Sequence, residues 1–316
     1  MDLVAWNGSM HVARAVSASL ERSGFAAREV ACGCDIGSLI ERLERPRPDL
    51  VFNLCESFAG ESRLESGMAS LLEMLRIPFT GNDPLALAIA HDKARAKELL
   101  SSCGLPVAEW RVYARMNPHS DLSGLTPPLI VKPRSEDGSH GISGSSVCGT
   151  HDEAIERAAQ ISAEWRGDCL IEEFLPGREF NIGILGGPVG SLILPIAEID
   201  YQLPEGLPNL VTYEAKWVED SPWYRGTPVR CPAINISEAM TERLRALALG
   251  AWNALGCRDY ARIDLRLDAA GEPRILEVNP NPDVSPDAGV ARAAQTGGLD
   301  YDELIARIAD SALARG

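Results

Sequence analysis

Polar and apolar residues alternate in two arms near the C-terminus of the chain. The first is Arg262-Ile-Asp264-Leu-Arg266-Leu-Asp268 and the second Pro273-Arg-Ile-Leu-Glu277-Val-Asn279, with Ala-Ala-Gly-Glu between them. A period of two marks half-buried strands, and the glycine marks a turn, so the segment predicts a β-hairpin. Pairing Asp268 with Pro273 sets Asp264 opposite Glu277 and Arg262 opposite Asn279, and partners across a ladder share a face. One side therefore presents Asp264, Glu277 and Asn279 as oxygen donors with Arg262 beside them. The same pattern would also describe an amphipathic hairpin whose charged side simply meets water.

Upstream, short apolar runs alternate with helical spacing. Leu3 to Trp6, Arg28 to Ala31 and Asp49 to Leu54 read as strands, and residues 11–23, 37–44 and 66–75 as helices. Such alternation implies right-handed crossovers and a largely parallel sheet in roughly the first 85 to 90 residues. Residues 83–101 then read as a helix. Strands at 128–132, 146–148 and 169–173 surround a helix at 152–165, and apolar runs at 181–185 and 192–199 open another sheet that the hairpin completes. Leu244, Leu247, Ala248, Ala251, Trp252 and Leu255 form one stripe of a helix over 241–255. No internal repeat or low-complexity linker is evident.

Composition narrows the functional classes. The 316 residues are 45% hydrophobic and 24% charged, with a net charge of −15, a balance that argues against nucleic acid or anionic membrane as the main partner. The sequence shows no apolar run of about 18 residues and no basic signal-like start, which points to the cytoplasm. Eight cysteines without a CxxC or Cys/His zinc spacing fit reduced thiols; Cys32 and Cys34 are the one close pair.

Of 30 basic residues only four are lysines: Lys93, Lys97, Lys132 and Lys216. A compact ammonium meets phosphate as a point charge, so lysines kept in an arginine-rich chain are candidate phosphate contacts. Lys97, one helical turn after Lys93, also fits an ordinary surface lysine. Gly138-Ser-His-Gly141-Ile-Ser-Gly144 lies between strands, where glycines let backbone N–H groups turn toward an anion. Such a loop is also often merely flexible. Neither GxxxxGK[ST] nor GxGxxG occurs. Two carboxylates and an amide oxygen match the donors Mg²⁺ takes while holding nucleotide phosphates.

Taken in order, Ile77-Pro-Phe-Thr-Gly81, Asp92-Lys93-Ala-Arg-Ala-Lys97, Gly104-Leu-Pro-Val, Ile130-Val-Lys132-Pro, Glu172-Glu-Phe-Leu175-Pro-Gly-Arg-Glu179, Tyr213-Glu-Ala-Lys216, Gly256-Cys, Ala261-Arg-Ile-Asp264 and Leu276-Glu-Val-Asn279 resemble the ATP-grasp superfamily, and within it the D-alanine:D-alanine ligases. The resemblance covers nearly all the chain from about Phe52. It implies an α/β (α+β ATP-grasp) fold: an N-terminal Rossmann-like domain at 1–91, a small central lid subdomain at 92–180, and a larger C-terminal subdomain at 181–316. It implies ATP as cosubstrate with Mg²⁺, or Mn²⁺ in its place. Lys93, Lys132 and Lys216 would contact phosphate. Glu172 would accept from the adenine amino group, with Glu173, Phe174 and Leu175 beside the ring and Glu179 on the ribose. Asp264, Glu277 and Asn279 would ligate the metal, Arg262 would steady the transferred phosphate, and Ser139 falls at the glycine-loop serine. The implied partners are a small-molecule carboxylate and an amine, joined through an acyl phosphate, and the resemblance admits a homodimer.

The substrate end departs from the family pattern. No acid occurs in Asn7-Gly-Ser-Met-His-Val-Ala-Arg14, Asn53-Leu-Cys-Glu-Ser-Phe replaces an expected His-Gly before Gly60-Glu61, and Trp217 replaces the lid tyrosine. After Asn279 come Pro-Asn-Pro-Asp283-Val-Ser-Pro-Asp287-Ala288, where Asp283 and Asp287 would favour an amine-bearing group or, alternatively, cap turns. The expectation is an ATP-dependent carboxylate-amine ligase with an altered pocket. The alternatives are a genuine D-alanine:D-alanine ligase and a non-catalytic ATP-binding protein.

Overall fold

Two antiparallel sheets organise the computed structural model, which describes residues 3–118, 120–187 and 190–315, with side chains from residue 10 onward. Helices α1 (Leu3–Arg22), α2 (Ile36–Glu44), α3 (Glu65–Met74), α4 (Pro84–His91) and α5 (Lys93–Ser102) come first. The central part holds β1 (Trp110–Tyr113), β2 (Leu129–Pro133), β3 (Val147–Cys148), α6 (His151–Trp165) and β4 (Cys169–Glu173). Then follow β5 (Glu179–Leu185), β6 (Leu192–Ile193), β7 (Ala197–Ile199), α7 (Tyr213–Trp217), α8 (Pro222–Arg225) and β8 (Val229–Arg230). The chain closes with α9 (Glu238–Ala254), β9 (Tyr260–Leu267), β10 (Pro273–Asn279), α10 (Gly289–Thr296) and α11 (Tyr301–Leu313).

The smaller sheet has the order β1-β4-β2-β3, and the larger β10-β9-β5-β7-β8 with β6 on β5. Helix α6 buries Ala154, Ala158 and Ile161 against Leu129, Val131 and Ile171 of the smaller sheet. Helix α9 lays Leu244, Ala248, Ala251 and Trp252 on Ile182, Ile263 and Leu265 of the larger one. Each fully buried Leu or Ile on these stripes contributes about 1.5–3 kcal/mol relative to exposure, which fixes the sheets' polar faces outward.

The hairpin register matches the alternation at its functional end: Glu277 pairs with Asp264 and Asn279 with Arg262. At the turn it is displaced by one, and Pro273 faces Leu267. Asp268 belongs to the turn, where its carboxylate accepts from the backbone N–H groups of Ala270 and Glu272 at 2.9 Å. A bulge between Ile275 and Glu277 absorbs the extra residue.

The N-terminal part corrects the expected element pattern. Leu3 to Trp6 lies within helix α1, whose Val12, Val16 and Leu20 follow helical spacing and meet Leu304, Ile305 and Ile308 of α11. Arg28 to Ala31 forms no strand, and of 49–54 only Val51 makes a parallel bridge, to Phe79. With its expected first strand in a helix, the parallel sheet is reduced to that bridge among the described residues. The helix expected over 83–101 is two helices. Asp92 ends α4, and its carboxylate accepts from the N–H groups of Ala94 and Arg95, which caps α5.

Candidate active site

Strands β5, β9 and β10 turn one polar face to a deep cleft. Glu179 lies opposite Arg266 and Asn181 opposite Asp264 on β5 and β9, while Glu277 and Asn279 continue the row on β10. Asp264 is 5% exposed; its Oδ1 accepts from Asn181 Nδ2 at 2.7 Å and from Arg262 Nε at 2.8 Å, and its Oδ2 from Arg262 Nη2 at 2.8 Å. Burial opposes the Arg262 charge, but Asp264 outweighs it and holds the guanidinium firmly protonated. Glu277 makes no side-chain hydrogen bond among the described residues and leaves a carboxylate in the cleft. Two carboxylates and the Asn279 amide form an oxygen-only donor set that fits a hard divalent cation. Among the described residues no group of three or more His, Cys, Asp or Glu side chains has a metal-site arrangement, so the amide is needed to complete the set.

The opposing wall comes from the smaller sheet. Glu172 on β4 is 2% exposed and carries two ammonium groups: Lys132 of β2 contacts Oε1, and Lys97 of α5 lies 2.8 Å from Oε2. Burial pushes the Glu172 carboxyl up, yet the two lysines prevail and take it down to about 2. Lys97 is held below the ordinary lysine value by burial and by Lys132. One carboxylate shared by two cations leaves net positive charge on this wall. Lys97 is thus a buried ion-pair partner, and its surface reading is corrected. Lys93 sits behind the glycine loop, where its ammonium donates to Glu136 O and to Asp137 Oδ1 at 3.2 Å. All the other residues expected at the site line the cleft.

At the proposed adenine end, Leu175 is buried and the Arg266 guanidinium stacks 4.9 Å over the Phe174 ring. Glu179 Oε2 accepts from Tyr201 Oη at 2.6 Å and from Arg266 Nη1 at 3.1 Å. Burial raises its pKa. Glu173 accepts from the Thr126 N–H at 2.8 Å and so secures the approach to β2.

The glycine loop and α7 meet over the cleft. Trp217 Nε1 donates to Gly138 O at 3.1 Å, and the His140 ring lies 5.4 Å from Tyr213 and 5.9 Å from Trp165. Ser139 adopts a φ of 62°, and Gly141, at 73°, packs so closely that a Cβ would lie 2.6 Å from Pro133 Cγ. Lys216 projects from α7 into the cleft, where the protein walls and Arg262 lower its pKa although solvent still reaches it.

At the other end of the cleft, both Asp283 oxygens are taken by Ser285, from its N–H at 2.7 Å and its hydroxyl at 2.8 Å. That is the turn-capping alternative. Asp287 is exposed, makes no side-chain hydrogen bond among the described residues, and does not cap α10, whose N-cap Ala288 has no side-chain bond. The side chains of Asn7 and Ser9 lie outside the described residues. Glu65, at the start of α3, lines the cleft; burial takes its carboxyl up to about 8. Asn181, Arg266, Tyr201, Glu65 and Asn281 were not singled out by sequence. For Asn181 the available signal was the alternation Glu179-x-Asn181-x-Gly183 on a strand paired to the one that carries Asp264.

Comparison with known proteins identifies the cleft's lineage. Residues 99–310 match the family model described as "D-ala D-ala ligase C-terminus". The chain is 34% identical over 308 residues to "Uncharacterized protein y4sG" of Sinorhizobium fredii (strain NBRC 101917 / NGR234), covering 95% of this chain and 87% of that protein. It is 32% identical over 301 residues to a D-alanine--D-alanine ligase of the same organism, covering 94% and 90% respectively. Among solved structures, a D-alanine--D-alanine ligase from Bacillus anthracis, complexed with ATP, superposes with a TM-score of 0.77 at 22% identity, over 97% of this chain and 92% of the other. That likeness concerns the fold. The chain therefore belongs to the D-alanine–D-alanine ligase family of ATP-dependent ligases with the ATP-grasp fold.

Proposed function

We propose that the protein joins a small carboxylate to an amine, activating the carboxylate with ATP as an acyl phosphate. The carrying observation is the juxtaposition, across one cleft, of Arg262, Asp264, Glu277 and Asn279 with the net-positive Lys132–Glu172–Lys97 wall and Lys216. Asp264, Glu277 and Asn279 would hold Mg²⁺ or Mn²⁺, and the chemistry the ion supplies when bound is neutralisation of phosphate oxygens. Lys132, Lys216 and Arg262 would hold those oxygens as charge shifts toward the leaving ADP. Lys93 would join them once Asp137 releases it. Phe174 and Leu175 would flank the adenine, Glu172 and Glu173 would border it, and Glu179 would meet the ribose. Contact between the glycine loop, with Ser139, and α7, with Trp217, would keep water from the acyl phosphate.

We take the chain as three parts, 1–91, 92–180 and 181–316, all of which line the cleft, and place the reaction in the cytoplasm, where ATP is made and thiols stay reduced. All eight cysteines are free, and no helix among the described residues is long and apolar enough to cross a membrane. Relatives named D-alanine--D-alanine ligase make D-alanine the first substrate to try, alone and paired. Asp287, open in the cleft, favours instead an acceptor with an amine or other donor at its far end. The deciding experiment measures ADP release over pairs of amino acids and amines, with mass spectrometry of the products. ADP release and a condensed product with D-alanine alone would establish the dipeptide reading. No turnover across the panel, with nucleotide bound, would favour a non-catalytic ATP-binding protein.

A further inference from the structure

Asn281, two residues beyond the metal-site strand, spends its polar atoms on several parts of the molecule at once. Its backbone N–H donates to Asn279 Oδ1 at 3.1 Å. Its side-chain Nδ2 donates to Glu65 Oε1 at 2.7 Å and, at 3.5 Å, to Cys55 O. Its Oδ1 accepts from the hydroxyl of the buried Tyr260 at 2.8 Å. With acceptor and donor both used, the amide cannot flip without losing bonds, so its orientation is set. Fixing that side chain fixes the Asn281 backbone, and with it the N–H that takes one lone pair of the Asn279 carbonyl. Among the described residues no other donor meets that oxygen, so its second lone pair remains for a cation.

We propose that Asn281 is a positioning residue that orients the Asn279 carbonyl for metal binding and ties it, through Glu65, to the substrate end of the cleft. The inference rests on the ligase reading, in which Asn279 is a metal ligand. Groups that hydrogen-bond to metal ligands hold them in register, and their loss lowers metal affinity by about 10–100-fold. Glu65 does not belong to the metal donor set, yet its truncation should act on the metal because it anchors the Asn281 amide.

The test titrates Mg²⁺ into the full chain with a non-hydrolysable ATP analogue and follows nucleotide binding by calorimetry, with a thermal melt for each variant. Asn281→Leu and Glu65→Leu should each raise the Mg²⁺ concentration at half-binding by about 10–100-fold. The double variant should be no worse than the more affected single, because both changes cut the same connection. Glu65→Gln keeps an acceptor for Asn281 and should bind like the parent. Leucine variants that keep the parent's Mg²⁺ requirement and only melt earlier would overturn the proposal and make Asn281 a structural brace. Additive effects in the double variant would also overturn it. A parent that binds nucleotide with no metal requirement would instead defeat the metal-site reading, and this inference with it.

Discussion

Replacing Lys97 by methionine should destabilise the protein far more than a change at an exposed lysine. The side chain is 1% exposed, its ammonium lies 2.8 Å from Glu172, and that carboxylate is 2% exposed. Removing one member of a buried ion pair typically costs about 3–5 kcal/mol because the other charge is stranded. Lys132 remains on Glu172, and Lys97 itself is held below its ordinary pKa by burial, so part of the penalty is already present in the parent. Both facts place the expected loss at or just below the bottom of that range, about 2–3 kcal/mol. At about 2.1 cal/mol/K of unfolding entropy per residue, a chain of 316 residues loses about 1.5 °C of melting temperature per kcal/mol, so the variant should melt roughly 3–5 °C earlier. An exposed lysine would stay within about 0.5 kcal/mol. A thermal melt, with a urea titration to confirm an unchanged slope, reads the difference. Nucleotide affinity should fall as well, since Lys132 would then serve Glu172 alone. A melting temperature within a degree of the parent's, with unchanged nucleotide binding, would refute the ion-pair reasoning.

Three further outcomes follow from the site. Asp264→Asn or Glu277→Gln should slow ligation by at least ~10²-fold, read as ADP release, if each carboxylate supports phosphoryl transfer by a few kcal/mol; near-parent turnover would remove the metal assignment. Gly141→Ala sets a Cβ 2.6 Å from Pro133 at a φ of 73°, so the loop must shift; the expected cost is about 1–3 kcal/mol with slower turnover, and a fully active, equally stable variant would contradict the close packing. The Glu172 carboxyl is depressed from 4.5 to about 2, so its stabilisation is present above pH 4.5 and disappears as pH falls through about 2. Melts between those limits should lose less stability in Glu172→Gln than in the parent, and parallel curves would disprove the coupling.

The parts of the fold that could be read from sequence are those with a long, consistent period. The α9 stripe and the alternation of β9 and β10 fall in this class, and all three elements formed close to the expected bounds. The hairpin slipped by one residue only where Asp268 found a better use for its carboxylate in the turn than a place in the ladder. The N-terminal runs were four to six residues long, a length at which a buried strand and one turn of a helix have the same composition. There, packing decided: α1 meets α11 along Val12, Val16 and Leu20, and Arg22 makes a bidentate pair with Asp302. Neither partner is visible from the first few residues.

Legibility of the site followed a similar rule. Arg262, Asp264, Glu277 and Asn279 share one face because local alternation places them there, so their proximity needed no knowledge of the rest of the chain. Asn181, Glu65 and Asn281 act through partners brought in by tertiary structure, and nothing adjacent in sequence announces them. Lys97 stands between these cases. It lies on the buried stripe of α5 with Ala94 and Leu100, three residues to either side. A lysine in the middle of an apolar helical face requires a buried counter-charge, because an unpaired ammonium there would be too costly to keep. The spacing could therefore have shown that Lys97 was no surface residue, while Glu172 as its partner could come only from the pairing of β2 with β4 and their packing near α5.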